Sequence, residues 1–141
     1  MRYVLGLLLC LSLMPVTASA QQVRQMLNGL RAEAGLGPVT PSPRLEQVAM
    51  DHAMDMARNG FFGHVGSDGS KIMQRAKRSG YDACLVAENI AKGQKSLTEV
   101  MGGWAKSPGH RKNMLLAQVT DYGLVRGPGD IWVMVLGRPG C

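Results

Sequence analysis

The sequence predicts an α+β domain, with helices packed on a largely antiparallel sheet. Three observations predict it. Apolar residues recur at helical spacing through the first half of the chain. Runs rich in β-branched residues gather in the second half, two of them flanking Gly127-Pro128-Gly129-Asp130, a hairpin signal. Helices first and strands late is the order of an α+β layer architecture. The 141 residues suit one domain. Hydrophobic residues at 45% and charged residues at 18% exclude a disordered chain.

Residues 1–20 read as a signal peptide. Arg2 gives a positive start, residues 4–14 are almost wholly apolar, and Ala18-Ser19-Ala20 is a small-x-small cleavage pattern. The apolar run is shorter than the ~20 residues that span a bilayer. A membrane anchor is the alternative. A lipoprotein reading at Cys10 is weaker, because the cut would fall inside the apolar run and Leu9 is not small. The expected domain is therefore residues 21–141 of an exported, periplasmic or extracellular protein. Of the three cysteines, Cys10 leaves with the leader. Cys84 and Cys141 then form one disulfide or remain two thiols.

Val23, Met26, Leu27 and Leu30 place a first helix over 22–34, ended by Gly35. Ser42-Pro43 is an N-cap with proline at the first helical position. Leu45, Val48, Ala49, His52, Ala53 and Met56 line the helix it opens, and Asn59-Gly60 stops it. Met50, Met54 and Met56 read as gap-filling core. A shorter helix covers 70–79. Residues 85–90 form a strand whose alternate set is Val86, Glu88 and Ile90, which puts a carboxylate on an aliphatic face. Ser96 opens a helix carrying Leu97, Val100, Met101 and Trp104, and Ser107-Pro108 begins another turn. Residues 119–125 and 131–136 are the hairpin strands.

The net charge of +6 is a weak guide. Arg75, Lys77 and Arg78 cluster, as do Lys106, Arg111 and Lys112; both read as solvated faces, able to touch anionic lipid or cell-wall polymer. No zinc-finger spacing or aromatic-interleaved basic patch points to nucleic acid. His-Glu-x-x-His, Gly-x-Ser-x-Gly and Cys-x-x-Cys are all absent.

What remains is His64, Glu88, Glu99 and His110, isolated polar residues in apolar settings that only the fold can unite. Each has a plain alternative. His64 braces a loop, and Glu88 needs a partner if buried. Glu99 closes a capping box on the backbone N–H of residue 96. His110 sits at a helix start, where the dipole favours the neutral ring that metals bind.

Several ordered motifs resemble the CAP superfamily of cysteine-rich secretory, antigen 5 and pathogenesis-related proteins, in its compact bacterial form. They are Asp51-His52-Ala53-Met54-Asp55-Met56-Ala57 with Gly60-Phe61-Phe62-Gly63-His64, then Gly80-Tyr81, then Ala87-Glu88-Asn89-Ile90-Ala91-Lys92-Gly93. Glu99-Val100 with Trp104, Ser107-Pro108-Gly109-His110-Arg111-Lys112-Asn113-Met114-Leu115 and Trp132-Val133-Met134-Val135-Leu136-Gly137 come next, and an early Asn28-x-x-Arg31 also fits. The resemblance implies an α-β-α sandwich with a central cleft holding His64, His110, Glu88 and Glu99. His52 is a core residue or a neighbour of that set. The set implies Zn²⁺ or another divalent ion as cofactor. Glu88 and Glu99 are the candidate catalytic bases of a metal-dependent hydrolase, but a non-enzymatic binding domain is favoured. The alternatives are a lipid- or sterol-binding module and a cell-envelope interaction module. We expect a monomer. Asp121-Tyr122-Gly123-Leu124 departs from the glycine-rich turn common in relatives.

Overall fold

The computed structural model describes residues 18–141. The expected signal peptide lies outside the described residues, save Ala18-Ser19-Ala20. These begin the first helix, α1 (Ala18–Glu33), and run without a break into Gln21. Val23 is the first buried position of α1, so Ser19 and Ala20 add nothing to the core.

The element order after α1 is β1 (Thr40–Pro41), α2 (Pro43–Asn59), α3 (Ile72–Arg78), β2 (Ala83–Lys92), α4 (Leu97–Lys106), α5 (Pro108–Met114), β3 (Asp121–Gly127) and β4 (Ile131–Pro139). The expected helices and strands are all present, with ends shifted by a few residues. The two-residue β1 was not expected, since Thr40-Pro41 carries no strand pattern. It pairs parallel with β3, Thr40 opposite Asp121. The sheet order is β1-β3-β4-β2, and both other pairings are antiparallel.

Central strand β4 is buried on both faces and separates two apolar layers. Trp132, Met134 and Leu136 face one cluster with Val23 and Leu27 of α1, Val100, Met101 and Trp104 of α4, and Met114 of α5. Ile131, Val133 and Val135 face the other, with Leu45, Val48, Ala53 and Met56 of α2 and Ala76 of α3. Strand alternation makes this division, and the result is an α-β-α sandwich.

Local chemistry sets the pieces in place. Ser42 caps α2 as expected, its Oγ accepting from the Leu45 N–H at 3.4 Å, and Gly60 ends the helix in the left-handed conformation. Strand β3 carries glycine at 123 and 127, where α2 comes closest. A Cβ on Gly123 would collide with the backbone of Leu45 and Glu46, and one on Gly127 would lie 2.7 Å from the Ala53 methyl. The unusual 121–124 stretch is therefore strand built for close helix approach.

Asn28 and Arg31 join α1 to the rest of the domain. The Asn28 amide exchanges two hydrogen bonds with the Val39 backbone. Arg31 is buried, has no carboxylate partner among the described residues, and donates to the carbonyls of Gly37, Met114 and Leu116. The Cys84–Cys141 disulfide is formed, with Cα atoms 5.2 Å apart, and ties the last residue to β2.

Candidate functional site

Strand β2 is an edge strand, and its outer side positions the site. Its Glu88 and Ile90 carbonyls accept from side chains of the α4–α5 unit: Asn113 Nδ2 reaches Glu88 O at 3.3 Å, and Trp104 Nε1 reaches Ile90 O at 3.4 Å. Asn89, fully buried, donates from Nδ2 to His110 O at 3.1 Å and accepts from Asn113 at 2.9 Å. These bonds close the edge against strand pairing. They also fix the backbone of His110 beside Glu88.

Glu88 projects to the α2–α3 face, as the alternation with Val86 and Ile90 predicts. Its side chain is 2% exposed, and both oxygens are engaged. Oε1 accepts from His64 Nδ1–H at 2.8 Å, and Oε2 accepts from Arg75 Nη2 at 2.8 Å. His52 Nε2 stands 3.7 Å from Oε1. A carboxylate only accepts, so the hydrogen bond places the His64 proton on Nδ1 and leaves the Nε2 lone pair to the open side. The His64 side chain is 58% exposed. Its pKa is raised above the ordinary value, first by the hydrogen bond to Glu88, against a smaller loss from burial.

Arg75 corrects one sequence reading. Within the basic cluster of α3 only Lys77 and Arg78 are solvated. The Arg75 side chain is 10% exposed. Its Nη1 donates to His64 O at 3.0 Å and Ser70 O at 2.7 Å, which clamps the His64 loop to α3. His52 is fully buried and donates from Nε2 to Gly63 O at 2.8 Å. Burial lowers its pKa, and its other nitrogen, Nδ1, has no hydrogen-bond partner among the described residues.

His110 lies at the start of α5. Ser107 Oγ is 2.9 Å from its Nδ1. Burial lowers its pKa, and the charge of His64 lowers it further, so the two imidazoles sense each other. Ser107 and His110 line a groove of about 360 Å³ with Phe62, Ile90, Val100 and Trp104.

Glu99 is held in the helix cap, one residue away from the expected register. The Lys95 N–H, not that of Ser96, donates to its Oε2 at 2.6 Å, while its own N–H donates to Ser96 Oγ at 3.2 Å. Among the described residues no hydrogen bond or ion pair joins Glu99 to His64, Glu88 or His110. Nor does any group of three or more His, Cys, Asp or Glu converge there to hold a metal ion. The fold thus brings Glu88 and His64 into contact and His110 into the field of His64, and adds Arg75, Asn89, Ser107 and Asn113. The sequence signal for Asn89 and Asn113 lay within the motifs at 87–93 and 107–115.

A model of the cysteine-rich secretory protein (CAP) family matches residues 24–135. The chain belongs to this family. Two relatives come from Bacillus subtilis strain 168. The uncharacterized protein YkwD is 33% identical over 118 residues, covering 83% of this chain and 46% of its own. The uncharacterized membrane protein YlbC is 30% identical over 108 residues, covering 77% and 31%. This CAP chain thus spans less than half the length of either relative. Among solved structures, an extracellular SCP-domain protein of Bacillus anthracis superposes with TM-score 0.79 at 26% identity, over 89% of this chain and 45% of that one. An outer surface protein of Borrelia burgdorferi superposes with TM-score 0.76 over 89% and 97%; at 22% identity this speaks for the CAP fold alone. No helix among the described residues of this CAP domain is long and apolar enough to cross a membrane.

Proposed function

We propose that this CAP domain is an exported, monomeric binding protein whose cleft takes a divalent ion, Zn²⁺ first, between the imidazoles of His64 and His110. The carrying observation is that both rings are tethered through Nδ1, to Glu88 and to Ser107, which leaves Nε2 of each for a ligand. Neutral imidazole is a good donor to borderline metals such as zinc. Among the described residues no group of three or more His, Cys, Asp or Glu could hold the ion, so the donors offered are the two imidazoles alone. Glu88 acts through His64, because both of its oxygens are already bonded, and Glu99 stays with its cap. A divalent ion held there would supply Lewis acidity to a bound ligand. Neither glutamate stands as an unengaged base beside the rings, which supports binding over hydrolysis as the primary role.

Calorimetric titration of metal-stripped protein with Zn²⁺ tests the reading. Saturable binding is expected in the wild type and its loss in His64→Ala/His110→Ala. Wild-type affinity in the double variant refutes the site.

A second reading, a module for lipid or another cell-envelope component, is supported by Phe62 and Val65. They are 48% and 51% exposed on either side of His64. Relatives described as extracellular, outer-surface and membrane proteins fit export and this reading alike. Saturable cosedimentation with anionic phospholipid vesicles that survives loss of both histidines would support it. No saturable binding would reject it.

A further inference from the structure

We infer that Ser107 is a positioning residue for His110, holding the imidazole through Nδ1 so that Nε2 is the nitrogen presented to a ligand. The inference rests on the two-imidazole reading and names the residue that sets one half of it. Ser107 is the N-cap of α5, where a serine ordinarily turns its oxygen onto a backbone N–H two or three residues on. Ser42 and Ser96 do so at α2 and α4. The Ser107 hydroxyl makes no cap bond. It faces the His110 ring instead, 2.9 Å from Nδ1.

The ring needs such an anchor. An imidazole's outer torsion has two broad, nearly equivalent states, which exchange the positions of its nitrogens. Asn89 fixes the His110 main chain through its carbonyl, which leaves that torsion free. Ser107 is the hydrogen-bond partner that fixes it.

The two histidines are thus built alike, with one difference of chemistry. Glu88 can only accept from His64, whereas a hydroxyl both donates and accepts. Ser107 therefore holds His110 in either tautomer: it accepts from Nδ1–H when Nε2 binds a ligand, and donates to Nδ1 when the proton sits on Nε2. Partners on the far nitrogen of a ligating histidine orient the ring and raise its basicity, and their loss typically weakens metal binding about 10- to 100-fold.

The test compares wild type, Ser107→Ala, Ser107→Thr and Ser107→Gly, the last tolerated at an N-cap. Long-range ¹H–¹⁵N spectra of the imidazoles are recorded on metal-free protein, and Zn²⁺ affinity is measured by calorimetry. In wild type and Ser107→Thr the His110 Nδ1 signal is expected to carry the shift of a ring nitrogen hydrogen-bonded to a hydroxyl, and to move to that of an unbonded nitrogen in the two variants without one. Those two should bind zinc about 10- to 100-fold more weakly, with threonine restoring the affinity. An unchanged His110 signature in Ser107→Ala and Ser107→Gly overturns the inference. Zinc binding lost in His64→Ala/His110→Ala but unchanged without the Ser107 hydroxyl overturns Ser107 alone. Wild-type affinity in that double variant overturns the two-imidazole reading itself.

Discussion

Replacing Arg75 with alanine should destabilise the domain more than any substitution at an exposed charge. The Glu88 side chain is 2% exposed and that of Arg75 10%, so the pair is held out of water. Removing the guanidinium leaves the carboxylate with His64 and the more distant His52. It also strips a donor from the carbonyl of buried Ser70. Breaking a buried pair from one side costs about 3–5 kcal/mol, because the survivor's charge stays buried. For a domain of this size that is a fall of roughly 10–20 °C in unfolding midpoint. Urea unfolding followed by tryptophan fluorescence reads the change directly, since Trp104 and Trp132 are both buried, on α4 and β4.

A second variant separates charge from packing. Arg75→Met/Glu88→Leu removes both charges and keeps apolar volume, and such replacements are often neutral or better. The double variant should regain most of the lost stability while losing the anchor on His64. A loss below about 1 kcal/mol in Arg75→Ala, against the ~3–5 kcal/mol expected for a buried pair, would refute the reasoning. So would a double variant no more stable than the single one.

Cutting the Cys84–Cys141 disulfide releases a loop spanning a separation of 57 residues, and chain entropy sets the loss at about 4 kcal/mol or less; urea midpoints of the Cys84→Ser/Cys141→Ser variant and of reduced wild type should agree. Gly123→Ala drives a methyl into the α2 backbone and should cost about 1–3 kcal/mol or more, seen as a lowered unfolding midpoint. The pH dependence of stability should carry opposite signs from two histidines. His52 has a depressed folded pKa, so it withdraws stability as pH falls below about 6.5, and His52→Gln should flatten that acid limb. His64 has a raised one, so its contribution is full below about 6.5 and fades as pH rises through its folded pKa; His64→Ala should cost most at acid pH. Two protein ligands are fewer than the three or four of dedicated zinc sites. Chelation of a bound ion should therefore leave circular dichroism unchanged and shift the unfolding midpoint only by the binding term.

Where local chemistry decides, the sequence was readable. Ser42-Pro43 and Gly60 bound α2 because capping and left-handed glycine act within a few residues. The set Val86, Glu88 and Ile90 faced one side because a strand leaves no other choice. Arg75 was hidden for the converse reason. A run of three basic residues on one short helix does not show which one turns inward; that depends on a carboxylate arriving from β2. Glu99 had two readings in the sequence, and only the placement of the 93–96 loop puts the Lys95 N–H, rather than that of Ser96, on its carboxylate. Strand β1 exists only because β3 runs beside it.

Glu88 is the reason we read this site as one for binding rather than hydrolysis. One carboxylate on an edge strand joins the middle of α2, the loop that carries His64 and helix α3. Each of its oxygens has a protein partner, His64 on one and Arg75 on the other. A general base needs a proton-accepting oxygen at the moment of reaction, and here one oxygen holds His64 while the other holds the Arg75 ion pair that compensates the buried charge. The imidazoles are in the opposite position. Each spends one nitrogen on an anchor and keeps the other, so ligand binding at Nε2 disturbs no bond that holds the fold. Substitution at Glu88 should therefore move stability and ligand affinity together, while His110, whose ring lines the groove and is held through Nδ1 by Ser107, should move affinity alone.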